Sequence, residues 1–274
     1  MSRQRLAAWA VNGALVIATL VTLAPLAWML SVSFMTRGEA AAFPPPLLPS
    51  QPTLANYVNL FTMIGIGRHL ANSILLASAV TLLSLLFNLA AGYAFAKLRF
   101  AGREQLFRGL LGALFVPLQV AMMPLFLLMK SLGLVNTYGG VIVPALATVF
   151  GVFLVRQYAR SIPDELLEAA RIDGAGEWRI FFSIVLPLLR PIIATLAILT
   201  FLTCWNDFMW PLIILSGDEH QTMPVALAGL SREYVQDNEL MMAGAVVTVL
   251  PVLVLFIALQ RHYLQGLMLG SVKG

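Results

Sequence analysis

Val246-Val247-Thr248-Val249-Leu250-Pro251-Val252-Leu253-Val254-Leu255-Phe256-Ile257-Ala258-Leu259 runs for fourteen residues with no charge and a single hydroxyl. It sits inside a longer stretch, between Glu239 and Arg261, that lacks any Asp, Glu, Lys or Arg. That is the length, about 20 residues, at which an α-helix crosses the hydrocarbon core of a bilayer. In lipid the backbone must bond within its own segment, so the stretch predicts a helix. A membrane barrel strand would instead alternate apolar and polar side chains over about 10 residues. Neither this stretch nor Leu82–Leu89 alternates, which excludes a barrel.

The same charge-free pattern recurs between Arg5 and Arg37, Arg68 and Lys97, Arg108 and Lys130, and Lys130 and Arg156. Between Arg190 and Asp218 the only charge is Asp207. The sequence therefore predicts an all-α integral membrane protein with six transmembrane helices, at about 10–34, 70–95, 107–129, 139–156, 189–212 and 241–260. Composition agrees: 59% of the 274 residues are hydrophobic and 11% charged, against about 25% charged in soluble domains. No repeat or linker divides the chain, so 1–274 reads as one transmembrane domain.

Lys and Arg set the orientation. With both ends on one side, that side carries thirteen of the seventeen basic residues and the other carries Arg37, Arg68, Lys130 and Arg232. Both termini are expected in the cytoplasm, and the net charge of +4 then reflects topology rather than nucleic-acid binding. The uncharged run from Leu6 to Thr36 exceeds a signal-peptide core of about 7–15 residues, so the first span reads as uncleaved. Pro25, Pro117, Pro124, Pro144, Pro211 and Pro251 fall in spans, where each permits a packing kink or a gating bend. Cys204 is the only cysteine and His69, His220 and His262 are scattered, so no disulfide or metal site is expected.

The longest inner loop, 157–187, carries the chemistry. Its core is Pro163-Asp164-Glu165-Leu166-Leu167-Glu168-Ala169-Ala170-Arg171-Ile172-Asp173-Gly174. Pro163 suits a first helical position, and Asp164 and Glu165 complement the positive end of the helix dipole. Gly174 fits the left-handed position at which a helix stops. A second short helix should then run to Pro187. Small Ala169 and Ala170 beside Leu166, Glu168, Arg171, Ile172 and Asp173 make a surface suited to a groove on a partner. An amphipathic helix lying on the bilayer is the simpler alternative.

Glu168-Ala169-Ala170, three residues, Gly174, nine residues, then Ile184-x-Leu186-Pro187 resembles the "EAA" signature of ABC importer permeases at every defining position. Asn72-Ser73, Gly92-Tyr93-Ala94-Phe95-Ala96-Lys97-Leu98-Arg99-Phe100, Trp205-Asn206-Asp207 and the tail from Gln265 to Gly274 resemble the carbohydrate (maltose-type) branch. The plain six-span plan is similar to the second permease of that heterodimer. The resemblance implies the ABC importer permease fold. It assigns Glu168, Ala169, Ala170, Arg171, Asp173 and Gly174 to coupling with a cytoplasmic ATPase, and Gln265, Gly266 and Lys273 to a tail between the ATPase subunits. It further implies a second permease subunit, two ATPase copies, an extracytoplasmic solute-binding protein and a bacterial inner-membrane location. The solute would be a sugar, a polyol or glycerol phosphate. The chain has no G-x-x-x-x-G-K-[ST] loop and no Gly-Lys pair. It is thus not expected to be an enzyme or to hold a cofactor, and Mg-ATP would sit in the partner. An ion-driven secondary transporter is the rival, but ionisable relays and broken-helix repeats are not visible.

Asp207 is the only acidic residue within a predicted span, toward its outer end. An intramembrane carboxylate is costly unless paired or wet. Trp205, Asn206 and Asp207 are therefore candidates for the solute pathway, with a structural hydrogen bond to the partner permease or to a freed carbonyl near Pro211 as the alternative. The acidic outer loop, about 214–239, is expected either to touch a binding protein or to be a solvated connection.

Overall fold

The computed structural model describes the backbone of residues 3–233 and 237–269, and side-chain surroundings for residues 9–230 and 237–258. Among the described residues the regular elements are all helical. They are α1 Arg3–Ser33, α2 Ala55–Thr62, α3 Ile66–Lys97, α4 Arg103–Phe115, α5 Leu118–Ser131, α6 Tyr138–Ala145 and α7 Val149–Ala159. These are followed by α8 Asp164–Ile172, α9 Glu177–Leu188, α10 Arg190–Trp205, α11 Met209–Ile214, α12 Met223–Glu233 and α13 Asn238–Leu269. Four segments are long and apolar enough to cross a bilayer alone: Trp9–Ser33, Ile66–Lys97, Tyr138–Ala159 and Asn238–Ala258. Two further pairs, α4 with α5 and α9 with α10, qualify only as bent pairs.

Those bends correct two predicted spans. The expected straight helix at 107–129 is broken between α4 and α5 by a 107° bend. Val116 there is extended, with ψ 115°, directly before Pro117, with ψ 132°. Proline has no N–H to give and pushes the preceding residue out of the helical region, so the turn falls at this pair. The expected helix at 189–212 turns by 79° at its start, between α9 and α10. It ends at Trp205, and Asn206, Asp207 and Phe208 separate α10 from α11. Asp207 therefore lies in a break, not inside a helix. Pro163 is also one place off: it caps α8, with ψ 134°, instead of opening it.

The chain divides into two compact units. One, Met1–Arg68 with Ala226–Pro251, holds α1, α2 and the start of α13. Most of the described part of α1, from Trp9 onward, is exposed. The segment after it is pinned by polar contacts: Asn56 donates to the carbonyls of Ser33 (3.0 Å) and Met35 (2.9 Å). Arg37 pairs with Asp237 at 3.1 Å, and Glu239 accepts from the Ala40 N–H at 2.8 Å. Asp237 and Glu239, at the end of the acidic outer loop, are buried in this work of holding residues 37–40.

The other unit, His69–Val225 with Val252–Gly274, contains the signature loop. Its buried cluster joins Leu89 and Tyr93 of α3, Val155 and Ala159 of α7, Leu167 of α8 and Phe181 of α9. Gly92 lets α3 and α7 approach closely: a Cβ there would lie 2.5 Å from the Val155 side chain. The interruption between α6 and α7 is satisfied from α3, where fully buried Asn88 accepts from the Thr148 N–H at 2.9 Å. Thr148 Oγ1 in turn accepts from the Gly151 N–H at 3.0 Å. Backbone freed inside a span thus finds its partners within the protein.

Candidate functional site

Two places in the second unit gather the candidate functional side chains: the signature loop, and a cavity beside α10.

The loop is a nine-residue helix with a complete stop signal. Gly174 has φ +81°, the left-handed conformation that its position predicted. The Ala175 N–H bonds the Ala170 carbonyl at 2.9 Å, and the Gly174 N–H bonds Arg171 at 3.0 Å. This paired return is a Schellman motif, and it satisfies carbonyls the helix would otherwise leave free. Only Leu167 of α8 is buried; Glu168, Ala169, Arg171, Asp173 and Gly174 are exposed. Leu166 and Ile172 are exposed as well, and so is Trp178, which stacks on Phe182 with 6.1 Å between ring centroids. A small apolar and charged surface is thus presented outward, while Leu167 fastens the helix to the core.

Both ends of α8 are also held by polar contacts. At its start, Asp164 accepts from Lys97 at 2.6 Å, and the same ammonium reaches the Ile162 carbonyl. At its end, Arg171 donates to Glu177 at 2.7 Å. Tyr93 donates to the other Glu177 oxygen at 2.9 Å. The Lys97 hydrogen bond holds the Asp164 carboxyl below its ordinary value, and the Arg171 hydrogen bond does the same for Glu177. The Glu177 hydrogen bond raises Arg171 in return. Tyr93, Lys97 and Asp164 stand within the quoted motifs and Glu177 within the nine-residue gap of the signature, but sequence alone gave no reason to join them.

The cavity has a volume of about 520 Å³. One face of α10 lines it with Leu196, Leu199, Thr200, Thr203 and Cys204, and Asp207 continues the row. The spacing of three and four residues is that of a single helical stripe, and it becomes more polar toward Asp207. Thr148, beside the break between α6 and α7, faces the same space. Asp207 Oδ1 receives a long contact, 3.4 Å, from the Trp210 N–H. Of the three residues singled out here, the structure brings only Asp207 to the cavity. Trp205 is buried against Phe201, 5.8 Å between centroids, and the exposed Asn206 donates to the Leu202 carbonyl at 2.9 Å. Thr200, Thr203 and Thr148 were missed, although hydroxyls at helical spacing below Asp207 were a usable signal. Among the described residues no group of His, Cys, Asp and Glu is placed to hold a metal ion.

Other motif residues have structural partners. Asn72 donates to the carbonyls of Glu219 (2.9 Å) and Gln221 (3.0 Å) and accepts from Tyr138 at 2.7 Å. Ser73 accepts from the Met223 N–H at 2.7 Å. The pair anchors the loop that follows α11. Gln265 and Gly266 belong to α13, but side chains beyond Ala258 lie outside the described residues, and Lys273 lies outside them altogether.

Comparison with known proteins follows from this geometry. Residues 88–268, more than half of the chain, match the family described as "Binding-protein-dependent transport system inner membrane component". The chain is 42% identical over 245 residues to the arabinooligosaccharides transport system permease protein of Halalkalibacterium halodurans, covering 89% of this chain and 86% of that protein. It is 37% identical to the lactose transport system permease protein of Rhizobium radiobacter, with 80% of each covered. It is 34% identical to the diacetylchitobiose uptake system permease protein of Streptomyces coelicolor, over 94% of this chain and 87% of that one. Among solved structures, a chain of a bacterial ABC transporter involved in the import of the acidic polysaccharide alginate superposes with a TM-score of 0.83 at 24% identity, covering 96% of this chain and 99% of the other. That likeness establishes the shared fold.

Proposed function

The chain belongs to the family of binding-protein-dependent transport system inner membrane components, and from that membership we propose that it is a permease subunit of an ATP-driven importer of neutral sugars. In this reading the two bent pairs each count as one span. The single domain 1–274 then crosses a bacterial inner membrane six times, with both termini in the cytoplasm. A second permease completes the pathway, and one of two ATPase subunits holding Mg-ATP docks against α8. A solute-binding protein delivers the cargo from outside. Conformational gating, not covalent chemistry, is this subunit's work.

The observation that carries the reading is the exposed surface of α8: Glu168, Ala169, Arg171, Asp173 and Gly174 face outward from a helix held firmly at both ends. Relatives named for arabinooligosaccharides, lactose and diacetylchitobiose support a sugar as cargo. A cavity with one carboxylate, several hydroxyls and no basic side chain among its lining residues suits a neutral hydroxylated solute better than glycerol phosphate. Asp207 and the threonines below it are proposed to contact that solute. The tail residues Gln265, Gly266 and Lys273 are proposed to reach the ATPases.

Co-purification tests the assignment. Gentle detergent extraction of the wild type is expected to recover an ATPase and a second permease, and Gly174→Arg is expected to lose the ATPase alone. In proteoliposomes, arabinotriose, lactose and diacetylchitobiose are the first solutes to try. Asp207→Asn should raise the apparent KM for the transported sugar with assembly intact. Recovery of the wild-type chain alone, with uptake that follows an ion gradient, would refute the importer reading.

A further inference from the structure

The loop's covalent neighbours are α7 before it and α9 after it, so motion of α8 reaches those helices through the chain. It has no covalent link to the end of α3, yet α3 grips it. Tyr93 and Lys97 are four residues apart and lie on one face of α3. Lys97 holds Asp164 at the start of α8, at 2.6 Å, and the carbonyl of Ile162 just before it. Tyr93 holds Glu177 at 2.9 Å, and Glu177 holds Arg171 near the end of α8 at 2.7 Å. The α3 side chains are the buried partners, with the Lys97 side chain 6% exposed and Tyr93 4% exposed. The Tyr93 ring also packs on Phe181 of α9, 5.3 Å between centroids.

The asymmetry is informative. A lysine and a tyrosine buried at the end of an apolar helix must have their polar atoms satisfied there. Among the described residues their charged partners are Asp164 at the start of α8 and Glu177 at the start of α9. Displacing the loop without α3 would strand both polar groups in a packed cluster. Moving α3 with the loop keeps every contact. Side-chain clusters of this kind transmit displacement because packed elements hop between discrete arrangements and do not stretch.

We infer that Tyr93 and Glu177 are positioning residues that transmit movement of α8 to α3, giving ATPase-driven motion a route to the cavity wall that bypasses the chain. Val80, farther along α3, lines that cavity. The inference rests on the docking of an ATPase to α8 proposed above, and it identifies which span that docking drives.

Hydrogen–deuterium exchange on the assembled complex tests it, with and without ATP plus vanadate, in wild type, Tyr93→Phe, Glu177→Ala and the double variant. Tyr93→Phe keeps the ring packing and removes only the hydroxyl. In wild type, nucleotide is expected to change exchange both in α8 and in the 84–97 segment of α3. In either single variant the α8 response should persist while the α3 response falls by about threefold or more, local openings being sensitive to single contacts. The double variant should be no worse than the stronger single one, because both remove one shared bond. A lowered melting temperature with an intact α3 response would overturn the inference by leaving these residues a purely structural role. Multiplying losses in the double variant would overturn it too. A wild-type complex in which α8 itself does not respond to nucleotide would refute the docking premise, and the inference with it.

Discussion

Replacing Gly92 by alanine should loosen the join between α3 and α7, and the geometry sets the size of the effect. The added methyl would sit 2.5 Å from both Cβ and Cγ1 of Val155 and 3.1 Å from the Arg156 backbone nitrogen. Carbon atoms pack at about 3.5–4.0 Å, so the helices must separate by about 1 Å or the valine must turn away. Val155 is fully buried and one of the methyl's neighbours is backbone, so turning the side chain relieves only part of the clash. Overpacking of this kind costs about 1–3 kcal/mol. Alanine's better helix propensity returns roughly 0.5–1 kcal/mol, leaving a net loss of about 0–2.5 kcal/mol, toward the upper end because the overlap reaches 2.5 Å at a buried side chain. Thermal unfolding in one detergent would measure it for Gly92→Ala, Val155→Ala and the double variant. Val155→Ala alone should also destabilise by opening a cavity. The double variant should recover at least about 1 kcal/mol relative to the sum, because the new methyl occupies the vacated volume. If Gly92→Ala is as stable as wild type, or if the two losses simply add, close approach at Gly92 does not hold these helices together.

Three further outcomes follow. At Gly174 the space around an added Cβ is open, so only the left-handed backbone penalises a side chain; Gly174→Ala should weaken ATPase retention by about 1–2 kcal/mol of strain, and Gly174→Asn, whose residue tolerates this region, should weaken it less in the same co-purification assay. Asn72→Leu deletes three hydrogen bonds, leaving the Glu219 carbonyl and the Tyr138 hydroxyl without that partner while the Gln221 carbonyl keeps its contact with His69 Nδ1 at 3.2 Å; at about 1–3 kcal/mol per stranded group the loop after α11 should become the first site cut in limited proteolysis, and an unchanged digestion pattern would count against this anchoring role. Glu39 accepts from Ser50 and Thr36, and those backbone hydrogen bonds lower its pKa from 4.5 to about 2. A carboxyl lowered on folding stabilises above its unfolded pKa and loses that contribution as pH falls through the folded one. Pepsin should therefore begin to cut residues 36–50 as pH drops from 4.5 toward 2, and Glu39→Gln should remove the pH dependence.

Much of the fold is written in the absence of charge. Six windows without charged residues, or with Asp207 alone, mark where apolar helices stand, because lipid tolerates little else. The stop of the signature helix was legible to the residue, since Gly174 is left-handed, while its start falls one place after Pro163. What the windows do not carry is direction. Pro25, Pro124, Pro144 and Pro251 lie within helices, yet Pro117 stands at a 107° bend. Proline's effect on its own backbone is the same everywhere; whether the helix turns depends on neighbours that the local sequence does not name.

Asn88 shows what kind of signal was available. An amide inside a predicted span is expensive unless it is satisfied, and Asn88 was visible in the second span. Its partner is the backbone of Thr148, sixty residues away, at the interruption between α6 and α7. Tyr93 and Glu177, eighty-four residues apart, follow the same logic at the end of α3. In each case the polar side chain sits on an uninterrupted helix and its partner on a segment that bends or breaks. The straight helix α3 thus carries, at Asn72, Asn88, Tyr93 and Lys97, groups that fix four irregular segments around it. Apolar windows locate such a helix, but its few polar residues decide how the other segments turn. Hydroxyls such as Thr81 bond their own helix, at 2.6 Å to the Ala77 carbonyl, whereas Asn72, Asn88, Tyr93 and Lys97 mark long-range contacts, and the pairing of those contacts is the information that one sequence leaves open.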